Sequence, residues 1–490
     1  MTAKPKRPHI ILFNPDQWRG DVLGHLGNPA ARTPHLDRFV AEDAVSFSHT
    51  FCQNPVCTPS RCSFMTGWYP HVRGHRTMYH MLKPDEPMLL QKLKEAGYYV
   101  WWGGKNDLVD PESGYGEYCD VKYVPPDTTR RMFGPDWRRG KPEEDTFYSF
   151  YVGNIDKGDG EDYYPDSDWA HIHGAINLIR EARSDQPVCI YLPILYPHPP
   201  YAVEEPWYGS IDRSLLPPRV AEPVWEGKPS MLTGLRERMQ LHGWTEQRWD
   251  ELRATYYAMC ARVDEQFGLL VQALKDTGMY EDTAIFFFSD HGDFTGDYGL
   301  VEKTQNTFED CLTRVPFIVK PPAGVPVRPG ISDAMIELVD LCATVYDYAG
   351  IDEGYTHFGR SLCGVISGQL TEHRDAVFSE GGRLHGESHC NESTPFNEDP
   401  RSLYWPRGET QRSEGPEHTK ATMIRTDRFK YVRRLDEQDE LYDLVLDPGE
   451  TRNRISDPSL AQELQRLKER MLDFYQSTCD VVPHRRARRE

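Results

Sequence analysis

The chain has 490 residues, room for one large domain and a smaller one. Lys and Arg number 56 against 76 Asp and Glu, a formal net charge of −20, which argues against nucleic acid as the main partner. No apolar run approaches a membrane span, and the 11 cysteines, an odd number spread along the chain, do not make a disulfide framework.

At the start, the apolar run 10–13 behind a basic leader is too short for a secretory signal, so a cytoplasmic protein with no membrane partner is expected. Residues 9–14 read as a buried strand that ends in Pro15-Asp16-Gln17. Residues 33–44 have helical spacing behind a capping threonine. Residues 54–67 then read NPVCTPSRCSFMTG. Pro59 suits the first turn of a helix, so Cys57 is placed at or just before a helix N-terminus, where free N–H groups and the dipole favour an anion. Arg61 adds a planar cation suited to a tetrahedral oxyanion. A buried, inert cysteine is the plainer reading of Cys57 taken alone. Cys52, Cys57 and Cys62 fall five apart, which is not a zinc spacing.

Residues 87–96 read as a helix closed by Gly97, and 98–102 as a strand running into Gly103-Gly104-Lys105. Residues 188–195 form another strand, ending in Tyr196-Pro197-His198. A long helical pattern covers 248–277. The strand 284–289 ends in Asp290-His291-Gly292. Residues 315–320 read as a strand and 332–348 as a helix. Alternating strands and helices predict an α/β sandwich around a mostly parallel sheet. Asp16, Lys105, His198, Asp290 and His291 all fall just past strand C-termini, where open α/β sheets bind ligands.

After about residue 375 the pattern changes. Residues 421–426 and 428–435 read as a hairpin, 440–444 as a further strand, and 460–475 as an amphipathic helix. This divides the chain into a catalytic α/β domain, 1–375, and a C-terminal subdomain, 376–490, with a small antiparallel sheet and a terminal helix. The segment 381–417, rich in Gly, Pro, Ser, Asn, Glu and His, reads as a long loop, either a lid or a homo-oligomer contact. The basic end, Arg485, Arg486, Arg488 and Arg489, reads as a solvated tail.

Cys57-Thr58-Pro59-Ser60-Arg61, continuing to Thr66-Gly67, resembles the signature of the type I, formylglycine-dependent sulfatases of the alkaline-phosphatase-like superfamily. Asp16-Gln17, Gly104-Lys105, Pro197-His198-Pro199, Ser289-Asp290-His291-Gly292-Asp293 with Gly296-Asp297, and Lys303 match later blocks in the family's order. Leu441-Tyr442-Asp443-Leu444 and Asp447-Pro448-Gly449-Glu450 resemble its C-terminal part. The resemblance implies an alkaline-phosphatase-like sandwich. It also implies that a maturation enzyme oxidises Cys57 to Cα-formylglycine, whose hydrated gem-diol is the nucleophile. One divalent cation, calcium or manganese, would be held by Asp16, Gln17, Asp290 and His291 together with the Cys57-derived group. Asp290 could also take the nucleophile's proton. Arg61, Lys105 and Lys303 would clamp the charged oxygens, and His198 would protonate or position the leaving alcohol. The substrate expected is a small-molecule sulfate ester.

Two departures from the family pattern stand out. The pairs Asp16-Gln17 and Asp290-His291 offer fewer carboxylates and one imidazole, a shell also found in the phosphonate monoester and phosphodiester hydrolase branch. Many sulfatases read Gly-Lys-x-His, whereas this chain has Asp107 two residues after Lys105. Asp107 could act as a base or face a cationic part of the substrate, or His75 or His80 could take the histidine's role.

Overall fold

Residues 9–15 alternate their side chains between two apolar layers. Ile11 and Phe13 pack into one, Ile10 and Leu12 into the other, so the strand is buried on both faces. That period of two, with helices covering each side, is the condition for a central strand of an α/β sheet. The computed structural model describes residues 7–126, 129–130, 139–141, 143–144, 147–182, 186–395, 397–413 and 415–484. The basic tail 485–489 lies outside them.

The strands, in chain order, are β1 (His9–Pro15), β2 (Val45–Phe51), β3 (Tyr99–Trp102), β4 (Val121–Lys122), β5 (Tyr151–Asn154), β6 (Val188–Ile194), β7 (Tyr201–Val203), β8 (Thr283–Phe288), β9 (Phe317–Lys320) and β10 (Gly330–Glu337). Eight of them form one sheet in the order β10-β2-β9-β8-β1-β6-β3-β4. Only β9 runs against its two neighbours; the other pairings are parallel. The contiguous parallel block β8-β1-β6-β3 matters most. Its strands end in Asp290-His291, Asp16, His198 and Lys105, so four separate stretches of chain meet at one edge.

On one face lies the long helix Glu246–Asp276, whose Phe267 packs edge-on to Phe13 and Phe287 with ring centroids 5.4 Å from each. On the other lies the helix Cys57–Thr66, whose Phe64 meets Phe288 at 5.1 Å. Burying side chains of this size contributes about 1.5–3 kcal/mol each. Gly67 closes this helix at φ 70°. A Cβ there would stand 2.7 Å from Cys342 Sγ, so the position requires glycine on both counts.

A second sheet is antiparallel in the order β11-β12-β13-β14, built from β11 (Val377–Gly381), β12 (Ala421–Arg425), β13 (Phe429–Arg434) and β14 (Glu440–Asp443). The terminal helix Ala461–Thr478 lays Leu467, Met471 and Phe474 on it, with Phe474 stacked on Phe378 at 3.9 Å. Two expectations need correction. Residues 332–348 are not one helix: the first part is β10, paired parallel to β2, and the helix begins only at Asp340. The segment 381–417 is not all loop, because Trp405–Arg412 is helical.

Candidate active site

Cys57 is the first residue of its helix, whose N-cap is Val56, and all ten residues of the helix are buried. Ser60 fixes its approach to the sheet by donating to the Asp290 carbonyl at 2.6 Å. Cys57 Sγ then lies 3.2 Å from His291 Nε2, 3.6 Å from both Asp16 carboxylate oxygens and 3.4 Å from Lys105 Nζ. Burial, with Asp16 next in weight, pushes the thiol up to about 12, so the unmodified cysteine stays protonated and is a poor nucleophile.

Arg61 is fully buried one turn further on. Its guanidinium reaches Asp16 Oδ2 at 3.0 Å and Asp290 Oδ2 at 2.8 Å, joining the ends of β1 and β8. Lys105 Nζ stands 2.6 Å from Asp16 Oδ2 and 2.8 Å from Asp107 Oδ2. Its placement depends on Gly104, at φ 97°, where a Cβ would sit 2.1 Å from the Pro193 carbonyl. Burial alone would raise the Asp16 pKa. Lys105 and then Arg61 override it and hold the carboxyl well below the usual range.

Asp16, Cys57, Asp290 and His291 offer ligand atoms within 4.8 Å of one another, all buried. His291 Nδ1 donates to the Gly292 carbonyl at 3.0 Å, which leaves the Nε2 lone pair facing Asp16 Oδ1 at 3.4 Å and Asp290 Oδ1 at 3.8 Å. Burial lowers the ring's pKa, so it is neutral. A lone pair held against two carboxylates in a dry site fits a divalent cation between them. Gln17 is adjacent but differently engaged. Its left-handed backbone, φ 72°, puts the side-chain carbonyl 2.6 Å from Lys303 Nζ and the amide nitrogen 2.5 Å from Asp293 Oδ2. Asp293 also accepts from Tyr201 and Thr295. Asp297 pairs with Arg19 at 2.8 Å and is structural.

These groups open onto a cavity of about 470 Å³, lined by Cys57, Lys105, Asp107, His198 and Lys303, with Met78, Tyr79, Met81, Leu195 and Tyr404 as its apolar walls. A larger cavity of about 890 Å³, between residues 20–29 and Arg314, holds none of this chemistry. His198 is half-buried at the cavity wall, with Nδ1 2.7 Å from the Pro199 carbonyl, leaving Nε2 as its other polar atom. Burial, then Lys303, pushes its pKa well below the ordinary histidine value. His75 and His80 do not line the cavity: His75 pairs with Glu86 at 2.9 Å, and His80 Nδ1 lies against Thr77 Oγ1.

The sequence reading missed Glu302, Glu392 and Arg407. Glu302 Oε1 lies 2.9 Å from Lys303 Nζ and 3.1 Å from Arg407 Nη1, so one carboxylate bridges two cations at the cavity. Glu392 and Arg407 come from the segment read as a loop, which folds over the cavity mouth. Nothing local marks them, since their place is set by how that segment returns across the sheet edge.

The model of the family described as Sulfatase matches residues 8–351. The chain is 29% identical over 353 residues to the ulvan-active sulfatase of Formosa agariphila, covering 71% of this chain and 63% of that protein's length. It is 25% identical over 497 residues to arylsulfatase K of Danio rerio, covering 96% of this chain and 84% of that one. Among solved structures, the phosphonate monoester hydrolase of Agrobacterium radiobacter is similar at TM-score 0.75, with 22% identity and 96% of each chain covered, which shows the shared fold.

Proposed function

The chain belongs to the sulfatase family, a family of sulfuric ester hydrolases, and from that premise we propose that it hydrolyses a small-molecule sulfate ester with a Cα-formylglycine made from Cys57. The observation that carries the reading is the setting of Cys57. Its Sγ stands between Lys105 and His291, at the face of a cavity that also presents Lys303 and His198. The hydrated aldehyde of a matured Cys57 supplies the nucleophile there. Asp16, Asp290 and His291, with Gln17 beside them, hold one divalent cation, calcium or manganese, which supplies Lewis-acid activation when bound.

The remaining work falls to the chain's own side chains. Lys105 and Lys303 bind the ester's anionic oxygens, and Arg61, too buried to reach solvent, orients Asp16 and Asp290. His198 is neutral in the resting protein because burial and the two lysines disfavour its charge. An arriving sulfate offsets those lysines, so the ring gains proton affinity as substrate binds, which suits it to the leaving alcohol.

The rival reading is a phosphonate monoester or phosphodiester hydrolase on the same scaffold, favoured by the imidazole in the donor set and by the same charge clamp. Matched sulfate, phosphate and phosphonate aryl esters, offered to protein made with a formylglycine-generating enzyme, decide between them. The sulfatase reading requires the highest kcat/KM on the sulfate and an aldehyde mass at position 57. An alkylatable thiol in fully active protein would refute it.

A further inference from the structure

Away from the Cys57 cluster, one other group of side chains among the described residues offers ligand atoms at metal-binding spacing. A carboxylate oxygen of Glu387, a ring nitrogen of His389 and Cys390 Sγ all lie within 4.8 Å of one another. The tight turn Ser388–Cys390 produces this, wrapping three donors from four consecutive residues around one point. Ligands of tetrahedral zinc, at about 2.0–2.3 Å from the ion, stand roughly 3.4–3.8 Å apart, so small side-chain rotations close the set. Cys390 Sγ is already 3.9 Å from Glu387 Oε2.

The surroundings support the cluster. Glu387 is oriented by the Leu384 N–H at 2.7 Å and by Arg76 at 3.2 Å, as metal-bound carboxylates are held by outer partners. Neither ring nitrogen of His389 has a hydrogen-bond partner among the described residues. The His80 ring stands beside it, centroids 6.0 Å apart, with Nδ1 against Thr77 Oγ1 and Nε2 left over.

We propose that Glu387, His389 and Cys390 bind one zinc-class cation at a site separate from that of Cys57, with His80, which stands beside this group but outside its 4.8 Å spacing, turning in as fourth ligand. A thiolate with imidazoles selects zinc over calcium or manganese. On binding, the Cys390 S–H bond breaks, the sulfur bonds the metal and the proton leaves to water. The site joins two stretches that form one wall of the catalytic cavity. Met78 and Tyr79 line it from one side and Glu392 from the other, and the Met78 N–H donates to Glu392 Oε1 at 2.6 Å. The cation therefore fixes the spacing of that wall.

The test uses full-length Cys57→Ala protein, which removes the thiol of the other cluster, stripped with chelator and titrated with Co²⁺. One equivalent should give thiolate-to-cobalt charge-transfer absorption that Zn²⁺ abolishes by displacement. Adding Cys390→Ser should eliminate the band, and His389→Ala or His80→Ala should weaken Co²⁺ binding at least tenfold. Should the Cys390→Ser protein not fold, the His389→Ala result decides alone. The absence of the band in Cys57→Ala protein overturns the proposal, as does a band that survives Cys390→Ser or is indifferent to His389→Ala.

Discussion

Asp107 Oδ2 lies 2.8 Å from Lys105 Nζ. This carboxylate is therefore tied to the lysine proposed to clamp the substrate, and it also stands 3.8 Å from Arg61 Nε. Asp107→Asn should remove the restraint that aims Lys105 between Asp16 and Cys57, while relieving repulsion toward an anionic ester. We expect kcat for an aryl sulfate to fall about tenfold with KM unchanged or lower. Steady-state kinetics check this; a rise in KM confined to amine-bearing esters would instead make Asp107 a reader of substrate charge.

The two ends of the metal cluster should separate by stability. His291→Ala should release the bound divalent cation, read by elemental analysis, and abolish turnover with little change in unfolding free energy. Asp290→Ala should do both and also destabilise the fold by about 3 kcal/mol, because Arg61 loses one of its two buried carboxylates. Retained stoichiometric metal in either variant would remove that residue from the ligand set.

Arg407→Gln tests a residue that only the folded chain reveals. With the guanidinium gone, Glu302 is left to Lys303 alone and draws that ammonium away from substrate. The expected result is a fall in kcat/KM of about tenfold or more, mainly through KM, with metal content unaltered.

A pH effect on stability should trace to His418. Burial first, then Arg383, lowers its pKa to about 3 in the folded protein. Below about pH 6.5 the unfolded chain takes up a proton there that the folded chain does not, so this histidine's contribution falls as pH falls. Between pH 7 and 5 the wild type should lose about 2 kcal/mol more than His418→Gln in urea titrations. Equal losses would show that the ring is charged in the folded state.

The strand-end residues were legible because a parallel sheet imposes a simple pattern, an apolar run and then a polar residue at one edge. Pro59 likewise marked the helix start at Cys57. Residues 332–337 were misread as helix because their spacing also suits one, and only pairing with β2 makes them part of a strand. Arg407 and Glu392 carry no local signal. They reach the cavity because a stretch more than 300 residues after Cys57 in the chain folds back across it. Gln17 was found by position, yet its link to Lys303 and Asp293 depends on a left-handed backbone that the sequence does not announce.

The side chains of residues 57–66 are sealed in the folded protein, and Cys57 itself is 1% exposed. Small esters can enter its cavity, but another enzyme's active site cannot close around it. The proposed conversion of the cysteine would then have to win a race against folding, and each molecule's fate would be settled once, at synthesis. On that proposal the active share of a preparation is a ratio of two rates, raised by slower translation or more converting enzyme and unaffected by adding that enzyme afterwards. Specific activity would then be a record of how the protein was made, and turnover numbers would carry meaning only per aldehyde.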